Sequence, residues 1–479
     1  MMFVLALFNL SGSATASDAI SLSYEAALQA AVANNPALIG ARFDVDAAEG
    51  ALMAARGVFD PILGASASRN QFTSESTREF GEVLSEFDST NWTASLNQTL
   101  PTGTNVDVSW STSSNRFRYE LRDTNIVVEQ QEPVFETRMV TTLTQNILEG
   151  HRLASNLEGV RSAMRSRDIA EASQRMAHQQ TLADAASAYW NTRTQRKLAD
   201  IAAMAIETAL EEQRVVHAKV EQGTLAPVER TRVDAAVVQA RRESLRANDA
   251  ARDAEDLLLL LIGEAPGTAL TLTSTPLEPT ALTLDTPAIE ASAVEGSPEL
   301  QMARIREQNA EMARMDARHR LLPELNVNAS YSLIGYDPSS SDATDELLSG
   351  DLPEWRLGAT LSVPLLGRAD RGQFRVQAAE AAKARSERGQ AERQLRSSVR
   401  AQVRAIHAAS MEIQLATANL ELAQQTLEAE RALTEAGRTI QKDLLESIAA
   451  VDDARIQLER STGEYQLAVI ELERLKGTL

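Results

Sequence analysis

The sequence predicts a mainly α-helical protein with a β-barrel contribution, built from two copies of one unit of helix, strands and long helical hairpin. Three observations predict this class. The chain contains an internal repeat, two helical stretches too long for a globular core, and short segments in which apolar and polar residues alternate. The six strands predicted for the whole chain are too few to enclose an open pore, so we expect several chains to share one barrel.

Composition excludes several classes of protein. The chain has 479 residues, with 67 acidic and 47 basic side chains and a net charge of −20. A nucleic-acid binder needs a basic surface, which this balance does not provide. The absence of cysteine excludes disulfides, cysteine-zinc sites and a lipid-anchored N-terminal cysteine.

The N-terminus predicts secretion. Met1–Leu10 is mostly apolar, and Ala14-Thr15-Ala16 has the pattern of a signal-peptide cleavage site, so residues 1–16 are predicted to be a signal peptide. The usual basic n-region is missing, which leaves the true translation start and cleavage site open. No later segment reaches the roughly 18 apolar residues of a spanning helix. A membrane would therefore have to be crossed by strands, since lipid accepts only helices and closed barrels.

The repeat is carried by an ungapped match of residues 36–66 to residues 298–328. The identical pairs include Pro36/Pro298, Leu38/Leu300, Arg42/Arg304, Ala48/Ala310, Glu49/Glu311, Met53/Met315, Arg56/Arg318, Pro61/Pro323 and Leu63/Leu325. Two further matches, 138–143 with 356–361 and Gly223 with Gly437, follow in the same order. We therefore expect a first unit over 17–263, a linker over 264–296 and a second unit over 297–479.

Each unit is predicted to begin with a helix and to end with a long helical hairpin. The first helix starts near Ser23, pauses at Asn34-Asn35-Pro36 and resumes to about Gly57. Long helices are predicted over 151–262 and 370–476, each interrupted by a glycine turn. Seventy helical residues would span roughly 100 Å, which fits a coiled coil against sister helices and not a compact core.

Strands are predicted within 62–147 and 324–365. At 105–112, Val106, Val108 and Trp110 alternate with polar residues, and the same pattern recurs at 92–100, 325–333 and 355–363. The first unit supplies four such strands and the second supplies two. A soluble sheet with one wet face would give the same alternation, so it remains an alternative at this point.

Loop lengths favour a membrane barrel. The connections at about 71–90, 113–136 and 335–353 are long and polar, whereas Pro101-Thr102-Gly103 is a tight turn. Long outer loops and short periplasmic turns are typical of outer-membrane barrels. Four aromatic residues would then lie at the outer ends of their strands, at the membrane interface: Trp92, Trp110, Tyr331 and Trp355.

This duplicated order of elements resembles the TolC family of outer-membrane efflux proteins, also called outer-membrane factors. The most specific motifs are the two proline-led helices, the strand-to-helix joints at 145–148 and 363–366, and the two glycine turns. Asn146 stands where the family usually has proline. The hairpin at 92–112 is additional to the simplest family pattern, which leaves 12 or 18 strands open for a trimer.

The resemblance implies a homotrimeric exit duct of a tripartite efflux or type I secretion system. Such a duct sits in the lipid of a Gram-negative outer membrane, with its helices in the periplasm. It docks to a periplasmic adaptor (membrane fusion) protein and through it to an inner-membrane pump of the RND, ABC or MFS type. It conducts passively, with no catalytic, cofactor or metal site and no nucleic-acid partner. The exported substrate, the pump class and the resting state of the gate are not implied.

The resemblance also assigns a periplasmic gate to the second glycine turn. Asp443 and Glu446 match the positions of the family's inward-facing acidic rings, and they lie three residues apart, on one side of a helix. Three copies would gather six carboxylates, which favour cations. Glu229 matches a gate partner that would bridge to Arg438. An ordinary solvated helix face is the alternative for these residues.

The two turns are also predicted to contact the adaptor. The predicted contact residues are those flanking the turn glycines: Gly223, Thr224, Leu225, Ala226, Gly437 and Thr439. The alternative is that Gly223 and Gly437 supply only turn geometry.

An enzyme and a periplasmic adaptor are the two functional classes that compete with an export duct. The five histidines are scattered without an i,i+4 metal pair, and the chain has no nucleophile elbow or phosphate-binding loop, so we expect no enzyme. A periplasmic coiled-coil adaptor or tether is the other alternative. Adaptors, however, usually carry one helical hairpin, and this chain has two.

Overall fold

The computed structural model describes residues 20–78, 81–121, 126–129, 132–149, 153–276, 285–436, 438 and 440–479. The predicted signal peptide and the predicted tip residues Gly437 and Thr439 lie outside the described residues. The chain forms two compact units. The helical unit contains Ala170–Ala303 and Arg388–Leu479 with the N-terminal residues to Val45, and the sheet unit contains Asp46–Ile169 and Arg304–Glu387.

Ten helices occur in the described part of the chain. They are α1 Tyr24–Asn34, α2 Pro36–Arg56, α3 Leu153–Asn156, α4 Glu158–Glu221, α5 Pro227–Ile262, α6 Thr286–Gly296, α7 Pro298–His319, α8 Ser340–Ser349, α9 Arg368–Glu435 and α10 Gln441–Lys476. The first helix is N-capped by the Ser23 hydroxyl, which accepts from the Ala26 amide, and it breaks at Asn35 before Pro36. None of the described helices is both long and apolar enough to cross a bilayer.

Nine strands occur in the described residues. They are β1 Ile20–Leu22, β2 Ile62–Arg78, β3 Gly81–Thr99, β4 Thr104–Leu121, β5 Ile126–Glu129, β6 Val134–Asn146, β7 Leu270–Leu272, β8 Glu324–Asp337 and β9 Pro353–Ser362. β1 and β7 form a small parallel pair. The other seven form one antiparallel sheet in the order β2-β3-β4-β6-β8-β9, with β5 paired to the outer part of β4.

In the sheet unit, helices meet the sheet at one end, which we call the helix end. Strands β2 and β8 begin there after α2 and α7, and β6 and β9 end there before α3 and α9. The β3–β4 connection at Pro101–Gly103 also lies there and is the predicted tight turn. The Gly103 amide donates to the Leu100 carbonyl at 2.8 Å, and Gly103 has a φ of 80°, which favours glycine. The opposite end is the outer end.

At the outer end, the predicted long loops are wrong. Strands β2 and β3 continue in register from Ile62↔Asn97 to Arg78↔Gly81, so 71–90 is mostly a hairpin. β4 extends to Leu121, and helix α8 fills the connection between β8 and β9. These segments are polar, which is why the sequence predicts loops there. Polarity, however, reflects exposure to water and does not prevent a ladder of backbone hydrogen bonds.

The helical unit has two apolar cores that repeat one arrangement. Residues of α1, α4 and α5 surround the first, including the buried rings of Tyr189 and Trp190. The second packs Ala293 of α6 among Val399, Ile406 and Tyr465 of α9 and α10. Helix α6 therefore corresponds to α1, just as α7 corresponds to α2.

The predicted linker at 264–296 is thus only partly a linker. It contains β7 and α6, with residues 277–284 outside the described residues. The start of α6 had a sequence signal that was missed. Asp285 caps the helix by accepting from the Ala288 amide, and Pro287 lies in its first turn. On structural grounds the second repeat starts at α6, about a dozen residues before the predicted boundary.

Candidate functional site: channel wall and helical tip

The two faces of the sheet have opposite polarity near the helix end. Residues paired directly across antiparallel strands point to the same face, so the register assigns every side chain to a face. One face, the apolar face, contains the following residues: Leu63, Ala65 and Ala67 of β2; Trp92, Ala94 and Leu96 of β3; Val106, Val108 and Trp110 of β4; Met139, Thr141 and Leu143 of β6; Leu325, Val327, Ala329, Tyr331 and Leu333 of β8; and Trp355, Leu357, Ala359 and Leu361 of β9.

This apolar face is exposed to its surroundings. Leu63 is 80% exposed, Trp355 77% and Leu357 67%. The alternation lasts nine residues in β8, from Leu325 to Leu333, which matches the 9–11 residues of a tilted membrane-crossing strand. An apolar surface of this extent is unstable in water. The face therefore has the properties of one that contacts lipid.

The opposite face, the polar face, carries small polar and charged side chains. In β3 and β4 these are Thr93, Ser95, Asn97, Asn105, Asp107, Ser109 and Ser111. Asn97 donates to both Asn105 and Asp107. Arg138 binds Glu136 and Glu354, each at 3.1 Å, so an ion-pair network links β6 to β9 across β8. Such a surface can line water but cannot lie in lipid.

Sequence reasoning did not single out Arg138, Glu136 or Glu354. The sequence signal for them was their position among the polar residues of strands in which polar and apolar residues alternate. A charge at such a position is compatible with a membrane strand when it faces the lumen.

The four predicted interface aromatics all lie on the apolar face. Tyr331 is directly opposite Trp355, and Trp110 is directly opposite Met139. The prediction that they end their strands is wrong for Trp92, Trp110 and Tyr331, because β3, β4 and β8 continue well beyond them. The rings of Trp92 and Trp110 instead mark the outer limit of the apolar residues on β3 and β4, since beyond them this face carries Asp88 and Arg116.

The sheet is open, with two unpaired edges among the described strands. β2 pairs only with β3, and β9 pairs only with β8. Unpaired edge groups cannot remain inside lipid, because each leaves backbone donors and acceptors unsatisfied. A second copy must therefore supply the missing neighbours if the apolar face is in a membrane.

At the α4–α5 turn, the predicted adaptor-contact residues form an exposed tip. Gly223 has a φ of 76°, and its amide donates to the Val220 carbonyl at 3.0 Å. Thr224 closes the turn by donating from its amide and its hydroxyl to the Lys219 carbonyl. Gly223, Thr224 and Ala226 are exposed, and Leu225 is half-buried.

Close to this tip, a polar clamp joins the two helices. Asp234 of α5 accepts from Gln213 of α4 at 2.7 Å, and its Oδ1 lies 2.9 Å from His217 Nε2. Hydrogen bonding to Gln213, together with the contact to His217, holds the pKa of the Asp234 carboxyl below its usual range. This clamp was not predicted, because residues about 20 apart in sequence meet only through the hairpin.

The predicted acidic gate residues lie at the start of α10. Gln441, Leu444, Ser447 and Val451 form the buried seam of this helix, and Gln441 donates to Glu212 of α4 at 3.2 Å. Asp443 is half-buried, while Glu446 is exposed and pairs with Lys442 at 3.1 Å. The two carboxylates lie about 60° apart around the helix axis, off the buried seam.

The predicted bridge from Glu229 to Arg438 is not formed within the chain. Glu229 pairs instead with Arg232, three residues along α5, at 2.7 Å. Arg438 is exposed, and its backbone amide donates to the Leu433 carbonyl at 2.9 Å. Helix geometry already holds Arg232 next to Glu229, so Glu229 pairs with it in preference to a residue on the other turn.

Comparison with known proteins connects these features to a family. Residues 291–478 match the family described as outer membrane efflux protein. No curated protein matches the chain. By fold, the chain is similar to the CmeC outer membrane channel of Campylobacter jejuni, at 14% identity and a TM-score of 0.67 over 95% of this chain and 85% of that one.

Two further solved structures have similar folds. The outer membrane protein VceC of Vibrio cholerae matches at 14% identity and a TM-score of 0.67, over 95% of this chain and 96% of that one. The MtrE outer membrane channel of Neisseria gonorrhoeae, in its open state, matches at 14% identity and a TM-score of 0.64, over 99% and 95%. At such identities these likenesses establish the fold, and they give no support to the adaptor alternative.

The family match and the fold matches point the same way. Residues 291–478 match the outer membrane efflux protein family, and nearly the whole chain has the fold of outer membrane channels such as CmeC, VceC and MtrE.

Proposed function

We propose that this protein is the passive exit duct of a tripartite efflux or type I secretion system, and that it works as a homotrimer. The observation that carries the proposal is the sheet with one apolar face, one polar face and two unpaired edges. Joining the β2 edge of one copy to the β9 edge of the next satisfies both edges. It also turns every apolar face toward lipid and every polar face toward water.

Six strands of each chain carry the apolar face and the polar face: β2, β3, β4, β6, β8 and β9. We call this part of the sheet, next to the helix end, the band. The additional hairpin, β3–β4, is in direct register with its neighbours there, since Ala94 is opposite Trp110 and Trp110 is opposite Met139. Three copies of six strands favour an 18-stranded barrel over a 12-stranded one. A barrel of that size leaves an aqueous channel.

The tips are proposed to dock to a periplasmic adaptor. Exposure of Gly223, Thr224 and Ala226 supports this role, with the clamp at Asp234 holding the hairpin in a fixed shape. Gly437 and Thr439 are proposed for the second tip from sequence alone. Through the adaptor, the duct would serve an inner-membrane pump of the RND, ABC or MFS type.

Asp443 and Glu446 are proposed as the acidic gate, and Arg438 as a partner within the assembled tip. Their position off the buried seam of α10 supports this role. With threefold symmetry, six carboxylates in a narrow throat would favour cations and bind multivalent ones.

The proposed gate is tested by single-channel recording in planar bilayers. We expect Asp443→Ala with Glu446→Ala to raise the conductance and to weaken block by multivalent cations. The matched control is Glu421→Ala with Glu428→Ala, which removes the same charge from exposed positions of α9. Equal conductance and equal block in the two double variants would refute the acidic gate. Absence of any channel in the unmodified protein would refute the duct itself.

A further inference from the structure

The sheet continues beyond the band, and most of its large apolar side chains lie on the other face there. We define the outer extension as the parts of β2, β3 and β4 beyond the row Ser68–Asn91–Ser113, together with β5. The same register assigns its side chains to the same two faces. The face that was polar in the band carries a cluster of large apolar side chains in the outer extension, with Asn70, Ser74, Ser85, Ser89 and Asn115 between them.

Aromatic rings dominate this part of the face. Phe72 is directly opposite Phe87, which is directly opposite Phe117, so three phenylalanines form one row across three strands. The ring centroids of Phe72 and Phe87 are 5.2 Å apart, and those of Phe117 and Tyr119 are 5.8 Å apart. Val128 of β5 continues the face opposite Tyr119.

These side chains are only partly covered by the described part of the chain, and Phe87, between Phe72 and Phe117, is half-buried. Phe72 is 48% exposed, Tyr119 40% and Val128 57%. A ring of this size has roughly 150–250 Å² of surface to bury. A contiguous apolar patch of several such side chains is typical of a surface that another molecule covers.

The reverse face of the outer extension belongs in water. Arg69 binds Asp88 at 2.8 Å, and Arg118 lies 3.7 Å from Glu86. Arg116 is directly opposite Asp88. Leu84 and Val127 are the apolar exceptions on this face. Because it is charged, the outer extension does not lie in the lipid as the band below it does.

We propose that the outer extension leans inward over the mouth of the duct, so that its apolar face packs against the same face of its two sister copies and forms an aromatic collar that narrows the mouth. This proposal rests on the proposed trimeric duct. The occupant follows from continuity, since the apolar patch continues the polar face that lines the channel. Across the channel axis, that face meets only its own symmetry copies.

The collar is tested by cysteine cross-linking, for which the natural chain is a cysteine-free background. In the full-length protein in outer membranes, Phe87→Cys places a thiol on the apolar face, and Asp88→Cys places one on the reverse face one residue away. After oxidation, we expect Cys at 87 to give covalent dimers on a non-reducing gel, because three thiols around one axis form one disulfide. We expect Cys at 88 to give monomers.

A functional measurement accompanies the cross-link. Oxidation of the Phe87→Cys channel should cause a loss of single-channel current that a reducing agent restores, while the Asp88→Cys channel should not respond. A conducting channel in which Cys at 87 stays monomeric, and reacts with a bulky impermeant maleimide as fast as Cys at 88, would overturn the collar and leave the duct intact. Absence of conductance in the unmodified protein would instead count against the proposed function.

Discussion

At the residue scale, the best-defined charged contact lies in the second core of the helical unit. Glu290 of α6 has a buried side chain, and its carboxylate binds Arg400 at 2.5 Å and Arg396 at 3.5 Å, both on α9. Hydrogen bonding to Arg400, followed by the attraction of that arginine and the contact with Arg396, holds the pKa of Glu290 below its usual range. The contact anchors α6, the helix that sequence reasoning placed in a linker.

Glu290→Gln should lower the thermal unfolding temperature of the detergent-solubilised protein at neutral pH. A lowered folded-state pKa means that the ionised carboxylate stabilises the fold fully above about pH 4.3, the ordinary value for glutamate. That contribution is lost as pH falls through the lowered pKa. The variant should therefore differ from the natural protein at pH 7 and approach it in acid.

The control for this substitution is Glu295→Gln, an exposed glutamate on the same helix. It should change the unfolding temperature much less at either pH. A Glu290→Gln protein with the natural unfolding temperature at pH 7 would show that the contact contributes nothing to stability.

At the element scale, the absence of a side chain at Gly335 allows helix α8 to pack closely against the outer end of the sheet. A Cβ at Gly335 would lie 2.0 Å from the Ala343 carbonyl oxygen and 2.7 Å from the Leu347 amide nitrogen. Both are backbone atoms of α8, so no side-chain rotation relieves the contact. The Glu346 carboxylate also accepts from the Tyr336 amide at 2.6 Å, which ties the helix to β8.

Gly335→Ala should displace α8 and destabilise its packing by roughly 1–3 kcal/mol, the usual cost of overpacking. Hydrogen exchange of the peptide over 340–349 measures this as faster exchange. Gly50→Ala is the matched control, because a Cβ at Gly50 meets no atom within 4 Å. Unchanged exchange of α8 in Gly335→Ala would show that the helix adapts without cost.

At the scale of the whole molecule, one chain is incomplete. Its sheet has two unpaired edges in the described residues, and an exposed apolar face that water does not tolerate. Among the described strands, β2 and β9 have no further strand to pair with. The proposed assembly with other copies would supply these neighbours.

The protein should be extracted from membranes only by detergent and should have about three times the chain mass of 52.0 kDa in micelles, after subtraction of the detergent. It should also migrate differently on a gel before and after heating, because a closed barrel resists unfolding. Light scattering gives the mass. A monodisperse monomer that stays dissolved without detergent would contradict the proposed barrel.

The alternation of apolar and polar residues determined which faces of the strands match lipid and water, as at Val106, Val108 and Trp110. It did not determine where β2 and β3 end, because hydrogen bonding of the backbone, which any polar sequence permits, extends this hairpin. The capping residues Ser23 and Asp285 both mark helix starts, but the sequence prediction included only the helix after Ser23.

By itself, the sequence determined the duplicated order of elements, the long helices and the two-faced sheet, because these depend on local periodicity. The tertiary structure alone decided that Glu229 pairs with Arg232, that Asp234 joins Gln213 and His217, and that Phe72, Phe87 and Phe117 form one row. The physical reason is that periodicity is set by neighbouring residues, whereas these contacts depend on register and chain closure, which bring distant residues to the same place.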